Sequence, residues 1–342
     1  MSRPACSSRP VPVLVLGATG TVGKEVVRAL LARTAPVAAL VRSRPRAAVV
    51  PAGVEVVLGD LGDAAGVRRA VERASAVFFV NPHEKEEETY AEHVVAACEH
   101  AQVRLVYLGT HVDARWAWLR AVLRTTYGTL FPHYKRRFRI GERVFTAATK
   151  TQLLLASPFF QNEEVFQPDI LAGRYTQPIG TRGLTQVDVR DIAEIAATLL
   201  LDPSHPAGCF PVTGPEAVSG PQAAATWAEA LGRPVAYVGD DEAAWRLAIT
   251  TQLSGQKRED WLRTYKSLAK MAGGPDPVEL ARTTQLLGRA PRGYHAYVRD
   301  AVAALRAAPS GASYGAAASF CAPPLLIHSA SASAPSSSIR SA

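Results

Sequence analysis

The apolar residues in the first half of the chain fall into short runs that are separated by stretches with helical spacing. The run Val13–Leu16 is wholly apolar and is followed by Gly17, which is typical of a buried strand in a parallel sheet. Strands that alternate with helices in this way predict an α/β fold built on a doubly wound parallel sheet. Further candidate strands lie at residues 37–41, 54–58, 76–80, 105–108 and 151–156, and candidate helices lie near 63–73, 85–100 and 137–148.

The pattern changes after Pro158. The spacing predicts a helix over Val189–Leu201 and a strand over 209–212, so we expect the chain to re-enter the sheet near residues 185–215. From residue 240 onward helical spacing dominates. These segments predict a smaller C-terminal α/β cap, mostly helical, that closes over the carboxyl edge of the sheet.

Composition and charge narrow the class of protein. The chain has 342 residues, 38 Lys and Arg against 30 Asp and Glu, and a formal net charge of +8. The arginines are spread along the chain without a basic and aromatic nucleic-acid motif, so we expect no nucleic-acid partner. No apolar run is long enough to span a bilayer, and the first residues lack the apolar core of a secretion signal. We expect a cytoplasmic monomer or homodimer with no membrane partner.

The cysteines are too far apart to suggest a metal site. Cys6, Cys98, Cys209 and Cys321 form no CxxC pair and no ligand spacing typical of zinc. We therefore expect reduced thiols and no bound metal.

A glycine-rich turn directly follows the first predicted strand and precedes the first predicted helix. Its spacing is GxxGxxG. Glycines allow the backbone to turn sharply and to approach a pyrophosphate, whose charge lies at the helix N-terminus. In this strand–turn–helix context the motif predicts a Rossmann domain that binds a dinucleotide; the alternative is a plain tight turn. The predicted contacts are Gly17, Thr19, Gly20, Thr21, Val22 and Gly23.

The end of the second predicted strand indicates which dinucleotide binds. NAD-binding sites usually carry an acidic residue there, whereas this chain has no Asp or Glu between Glu25 and Glu55. Arg42 stands at that position instead, and a guanidinium can bind a 2′-phosphate through two hydrogen bonds. We therefore expect NADP(H) to be preferred over NAD(H). The alternative is a solvated loop of arginines.

Residues at the ends of the third and fourth predicted strands complete the expected cofactor site. Asp60 is placed to accept a hydrogen bond from the adenine amino group, with Leu61 against the ring. Asn81 and Pro82 follow the fourth strand beside the expected ribose and nicotinamide. The alternatives are helix capping for Asp60 and simple strand termination for Pro82.

Several motifs taken together resemble the NmrA-like family of atypical short-chain dehydrogenases. Residues 155–162 are similar to the family's LRPxFFxxN stretch, with Ser157 where most members have Arg. Residues 188–193 resemble its DVxDIA helix start. Residues 213–219 resemble TGPEALS, and residues 287–292 resemble the C-terminal GRxPR element. Segments 77–82 and 106–110 resemble its fourth and fifth strands. The resemblance covers roughly residues 11–305 and implies a Rossmann domain with a small substrate domain around NADP(H).

The expected organisation has four parts. They are a flexible N-terminus over 1–10, an NADP-binding Rossmann domain over 11–157, a substrate-binding cap over 158–307, and a disordered tail rich in Ala, Ser and Pro over 308–342.

The resemblance also implies further site residues. Thr110 and Arg137 are expected beside the cofactor, and His133, Tyr134 and Lys135 are the candidate catalytic groups at the start of a helix that faces the nicotinamide. Lys135 comes earlier than the family's Lys, so the transfer of that role is open. A basic solvated helix face is the alternative. The candidate substrate contacts are His111, Trp116, Phe159, Phe160 and Asn162.

The chain lacks the tyrosine and lysine pair of ordinary short-chain dehydrogenases. None of its lysines has a tyrosine four residues before it. Carbonyl reduction relies on that acidified phenol, whereas hydride transfer to an iminium or quinone needs less acid catalysis. The sequence therefore predicts an NADPH-dependent oxidoreductase that reduces a polarised double bond (quinone, imine, enone or carbonyl) in a small molecule. A non-catalytic NADP(H) sensor and a redox-neutral cyclase or isomerase stay open as alternatives.

Overall fold

The computed structural model describes residues 10–111, 116–268 and 273–307. The expectations for residues 1–9 and for the tail 308–342 lie outside these residues. The strands are β1 (Val13–Leu16), β2 (Val37–Val41), β3 (Glu55–Leu58), β4 (Ala76–Val80), β5 (Arg104–Leu108), β6 (Thr151–Ala156), β7 (Arg174–Tyr175), β8 (Leu184–Thr185), β9 (Gly208–Val212), β10 (Ala217–Val218) and β11 (Ala236–Tyr237).

The helices alternate with these strands in the first half and dominate the second. They are α1 (Thr21–Ala32), α2 (Arg44–Ala47), α3 (Ala64–Val71), α4 (Glu87–Ala101), α5 (Ala117–Leu130), α6 (Lys135–Phe145), α7 (Gln167–Leu171), α8 (Val189–Leu201), α9 (Gly220–Leu231), α10 (Glu242–Gln252), α11 (Gly255–Leu268), α12 (Pro277–Leu287) and α13 (Tyr294–Ala307). Short 3₁₀ turns lie at Pro132–Tyr134 and Phe160–Val165.

Seven strands form one parallel sheet in the order β3-β2-β1-β4-β5-β6-β9. Both faces are covered: α1 and α8 bury Val26 and Ile192 on one face, and α4 and α6 bury Val94 and Val144 on the other. Sheet strands buried on two faces read as continuous apolar runs, as β1 and β2 do. The predicted doubly wound parallel sheet is confirmed, and the predicted strand near 209–212 is its last strand, β9.

The edge strand β3 departs from this pattern. The strand predicted at 54–58 is present, but three of its four residues are exposed, and Val56 and Leu58 are 40% and 52% exposed. The helix that precedes it, α2, has only four residues and no buried one. A helix this short cannot cover the strand, which explains why β3 stays open to solvent.

A second core belongs to the residues that we call the cap (160–184, 217–268 and 294–307). Its buried side chains include Phe160, Trp227, Trp261, Tyr265 and Tyr294. Helices α9 and α13 pack against each other there, as do α10 and α11.

Helix α12, which the sequence pattern places in the cap, lies elsewhere. It packs against β9, and Leu286 and Leu287 contact the core of the sheet. Thr283 of α12 is buried, and its hydroxyl accepts a hydrogen bond from the Thr213 N–H at 3.2 Å. The expected cap over 158–307 is therefore wrong for this helix, because the chain returns to the sheet a second time.

The long segment between β5 and β6 contains two helices, α5 and α6. Tyr127 of α5 packs on Phe138 of α6 with ring centroids 6.4 Å apart. Within the described residues, no helix is both long and apolar enough to cross a membrane.

Candidate functional site

The loop between β1 and α1 has a backbone path that requires glycine. Gly17 has a φ of +93°, and a Cβ there would lie 2.7 Å from Val80 Cγ1. A Cβ at Gly23 would lie 2.0 Å from the Gly17 carbonyl oxygen. The Gly20 N–H donates to that same oxygen at 2.9 Å. The loop is therefore folded tightly against the first turn of α1, whose unpaired N–H groups face outward at the carboxyl edge of the sheet.

A cleft of about 250 Å³ opens above this loop. It lies at the carboxyl ends of β1 and β4, where the strand order reverses, and this is the usual ligand position in a doubly wound sheet. The sequence predicted many of its lining residues: Gly17, Thr19, Gly20, Thr21, Val22, Gly23, Arg42, Leu61, Asn81 and Pro82. The sequence reasoning missed Arg46, His83, Glu84 and Lys257, which line the same cleft.

Two polar atoms of the cleft residues fit a bound dinucleotide. Thr21 Oγ1 and Asn81 Oδ1 are buried and make no hydrogen bond within the described part of the chain. The Asn81 amide nitrogen donates to the Glu87 carbonyl oxygen at 2.8 Å, which fixes the orientation of the side chain. Buried polar atoms without a partner are costly. A dinucleotide would satisfy both, because its phosphate oxygens accept from a hydroxyl and its ribose hydroxyls donate to an amide oxygen.

One end of the cleft is cationic but already paired. The Arg42 guanidinium donates to Glu84 Oε1 at 2.6 Å, and its Nε lies 3.8 Å from Asp60 Oδ2. Asp60 Oδ1 also accepts from the Gly62 N–H at 2.7 Å, so this carboxylate closes a turn. The Asp60 carboxylate is thus beside Arg42 at the cleft mouth.

The wall formed by the end of β4 contains a buried charged cluster that includes a cap residue. Arg137 of α6 donates to His83 Nδ1 and, at 3.2 Å, to Asp260 Oδ2 of α11. The Gln256 amide donates to the other Asp260 oxygen at 2.9 Å. Burial, together with the charge of Arg137, lowers the pKa of His83 to about 3, so the imidazole is neutral at physiological pH. Burial raises the pKa of nearby Glu87, against the charge of Arg137.

A protein-family model described as NAD(P)H-binding matches residues 17–203, which span this loop and cleft. The chain belongs to this NAD(P)H-binding family. The predicted resemblance to NmrA-like atypical short-chain dehydrogenases is confirmed at the level of this NAD(P)H-binding family and its fold.

Similar proteins include two characterised relatives and a solved structure. NAD(P)H azoreductase from Xenophilus azovorans is 28% identical over 301 residues, which is 86% of this chain and 100% of the relative. The (4-alkanoyl-5-oxo-2,5-dihydrofuran-3-yl)methyl phosphate reductase of Streptomyces griseus subsp. griseus is 31% identical over 230 residues, covering 66% of this chain and 76% of the relative. The structure of an NADPH-dependent quinone oxidoreductase from Escherichia coli, complexed with NADPH, has a TM-score of 0.65 at 18% identity. That match covers 86% of this chain and 99% of the other, and it shows a shared fold.

The predicted contacts after β5 pack against α6. A Cβ at Gly141 of α6 would lie 2.0 Å from the Thr110 carbonyl oxygen, so the loop rests directly on this helix. The buried His111 ring stacks on Phe145 with centroids 4.6 Å apart. Burial and the nearby arginine charges lower the pKa of His111 to about 4, and its Nε2 has no hydrogen bond among the described residues.

The candidate catalytic residues lie outside the set that lines the cleft in the described structure. Tyr134 is buried, and its ring lies 5.2 Å from the Arg137 guanidinium and packs on Phe138. Lys135 is exposed and lies beside Gly128 of α5. The side chain of His133 is outside the described part.

The remaining predicted substrate contacts occupy different environments. Phe159 is buried in the core of the sheet, whereas Phe160 lies in the cap core between Tyr294 and Tyr297, with centroids 5.3 and 5.4 Å away. Asn162 is buried, and both its polar side-chain atoms lack a partner within the described residues. Trp116 is 52% exposed and stacks on Trp118 at the start of α5.

The described residues contain no group of three or more His, Cys, Asp or Glu side chains arranged to hold a metal ion. Cys98 and Cys209 are buried, and burial raises the pKa of the Cys98 thiol to about 12. A thiol with so high a pKa is a poor nucleophile and metal ligand.

Proposed function

We propose that this chain is an NADPH-dependent reductase that transfers hydride to a polarised double bond of a small organic molecule. The names of its relatives support this class, because they describe reduction of an azo compound, an unsaturated lactone phosphate and a quinone. The acceptor would be a quinone, imine, enone or carbonyl compound.

The observation that carries this proposal is the cleft itself. A loop in which Gly17 and Gly23 leave no room for a side chain lies below it, and two arginines, Arg42 and Arg46, line the end that would hold the adenosine. Guanidinium groups favour the 2′-phosphate of NADPH over the hydroxyl of NADH. Within the site, the N-terminus of α1 would face the pyrophosphate, and Thr21 and Asn81 would bind phosphate and ribose oxygens. When bound, NADPH supplies the hydride from its nicotinamide ring.

His83 is our candidate for the hydrogen-bond donor that a missing tyrosine would otherwise supply. Because a guanidinium only donates, the contact with Arg137 makes Nδ1 the acceptor and places the imidazole proton on Nε2. A neutral donor at the cleft wall would stabilise negative charge that develops on the acceptor as hydride arrives. Arg137, which also donates to Asp260, would hold the ring in this tautomer.

The test begins with calorimetric titration of the purified full chain with NADPH, NADP⁺, NADH and NAD⁺. NADPH oxidation is then followed against an azo dye, a quinone, an imine and an enone. We expect NADPH to bind more tightly than NADH and at least one acceptor to be reduced. His83→Phe should retain NADPH binding and lose at least roughly tenfold in kcat.

Other outcomes would reject this proposal in distinct ways. Absence of dinucleotide binding would reject the cofactor site. Tight binding without reduction of any acceptor would instead favour the non-catalytic sensor or the redox-neutral cyclase or isomerase.

A further inference from the structure

The sheet order places an arginine and a glutamate on opposite sides of the glycine loop. Strand β1 lies between β2 and β4, so the loop after β1 is flanked by the ends of both neighbours. Arg42 follows β2, and Glu84 follows β4 by a few residues. Their side chains meet at 2.6 Å across the mouth of the cleft. The pair therefore occupies the position that the proposed 2′-phosphate would approach.

We infer that Glu84 sets the selectivity between NADPH and NADH by competing with the 2′-phosphate for Arg42. This inference rests on the proposed NADPH preference. A 2′-phosphate that takes two hydrogen bonds from Arg42 competes with Glu84 for the guanidinium and faces a carboxylate of the same charge sign. NADH lacks that phosphate, so it can bind while the pair stays intact.

The surroundings of Glu84 allow its carboxylate to move away from Arg42 while it keeps another hydrogen bond. Its second oxygen accepts from the Tyr90 hydroxyl at 3.2 Å, so a displaced carboxylate keeps one partner. The side chains of Arg42 and Glu84 are 39% and 34% exposed, and water can solvate both after they separate. Pairs with this exposure are weak, so we expect Glu84 to change affinity by roughly fivefold rather than to block NADPH.

Arg46 would hold the phosphate while Arg42 exchanges partners. It lines the same cleft, and no ion pair of its side chain occurs within residues 10–111, 116–268 and 273–307. Asp60 stays 3.8 Å from Arg42 Nε and is engaged with the Gly62 N–H, so Glu84 is the partner that must move.

The experiment is calorimetric titration of the full-length protein with NADPH and with NADH, at one fixed ionic strength. The variants are Glu84→Gln, Arg42→Ala, the double variant, and Glu86→Gln as a matched control. Glu86 is exposed, carries the same charge and is two residues from Glu84, but its side chain makes no hydrogen bond at the α4 N-terminus. The quantity compared is the ratio of the NADH Kd to the NADPH Kd.

We expect Glu84→Gln to raise this ratio roughly fivefold and Glu86→Gln to leave it within about twofold of wild type. In the Arg42→Ala background, Glu84→Gln should lose most of its effect. An unchanged or lower ratio in Glu84→Gln would overturn the inference, as would an equal rise in Glu86→Gln. If Arg42→Ala leaves the ratio of the wild type intact, the proposed phosphate contact itself fails. A collapse of the ratio in Arg42→Ala, with no change in Glu84→Gln, rejects only the role of Glu84.

Discussion

The interior of the sheet and the interior of the cap are built from different side chains. Around the sheet, the buried residues are mainly Val, Leu, Ile and Ala, and they pack without side-chain hydrogen bonds across most of both faces. In the cap, aromatic rings are much more frequent, and several of them surround a buried carboxylate, Glu163. Glu163 accepts from the Tyr175 and Tyr294 hydroxyls and, at 2.9 Å, from the Trp227 indole.

This difference distinguishes a core that many sequences could form from a core that depends on specific side chains. An aliphatic core tolerates many sequences of similar volume, so the sheet provides a common frame for a cofactor cleft. A buried polar network is stable only when every member is satisfied, so the cap depends on specific partners. The two regions meet at the Arg137–Asp260 pair, where a sheet-side helix contacts the cap at the cleft wall.

Removal of the Arg137–Asp260 pair should give the largest change in the free energy of unfolding. Asp260→Ala removes the carboxylate that lies 3.2 Å from the buried Arg137 guanidinium, whereas Glu87 is more distant, at 3.9 Å. A buried charge that loses its partner typically destabilises a protein by about 4 kcal/mol. We expect a loss of that order in the free energy of unfolding, measured by urea denaturation.

The control is Asp300→Asn, which removes an exposed ion pair with Arg190. It should cost no more than about 1 kcal/mol. Equal losses in the two variants would mean that the junction contributes no more than a surface pair.

The buried carboxylate of the cap should give a pH dependence that the aliphatic core cannot. Burial raises the pKa of Glu163 to about 7, against the hydrogen bonds from Tyr175, Tyr294 and Trp227. An acid whose folded pKa is raised stabilises the fold fully below its ordinary pKa of 4.5 and loses that contribution as the pH rises through about 7. Relative to Glu163→Gln, the wild type should therefore lose about 2.5 kcal/mol of unfolding free energy between pH 5 and pH 8.

Two variants check this assignment. Glu164 also has its pKa raised to about 7 by burial, and it is present in both proteins, so its share cancels in the comparison. Glu242→Gln, at an exposed site on α10, should follow the wild-type pH profile. A constant difference between wild type and Glu163→Gln across this range would rule out titration of Glu163.

The sequence pattern predicted the elements around the cleft well, because their signals are local. The bounds predicted for β2, β4, β6 and α8 are the observed ones. The glycine spacing predicted the loop, because Gly17 and Gly23 meet constraints that lie within one strand–turn–helix unit. The exposure of β3 was not predictable from its apolar residues, since it depends on the four-residue length of α2.

The residues that the sequence reasoning missed come from distant parts of the chain. His83 directly follows Asn81 and Pro82 at the carboxyl edge of β4, so its position was a usable signal. No signal in the sequence indicated Lys257 or Asp260, because α11 reaches the cleft only through the packing of the cap. The Arg137–Asp260 hydrogen bond joins residues 123 positions apart, and no periodicity records such a pairing.

The smallest expected effect concerns Thr21 Oγ1, a buried polar atom at the first residue of α1. Thr21→Val keeps the side-chain shape and removes the buried hydroxyl, which has no hydrogen-bond partner within the described residues. Without ligand, the variant should be equally stable or up to about 1 kcal/mol more stable, because a buried polar atom without a partner is destabilising. The variant should bind NADPH roughly five- to tenfold more weakly than the wild type, because the cofactor loses that hydrogen bond.

Thr198→Val is the matched control, since its hydroxyl donates to the Glu194 carbonyl oxygen within α8, remote from the cleft. Calorimetry and thermal unfolding measure the two quantities, and a Thr21→Val protein with unchanged NADPH affinity would remove this hydroxyl from the cofactor site. A variant that is more stable without ligand but binds NADPH more weakly would instead show that the Thr21 hydroxyl serves cofactor binding at a cost in stability.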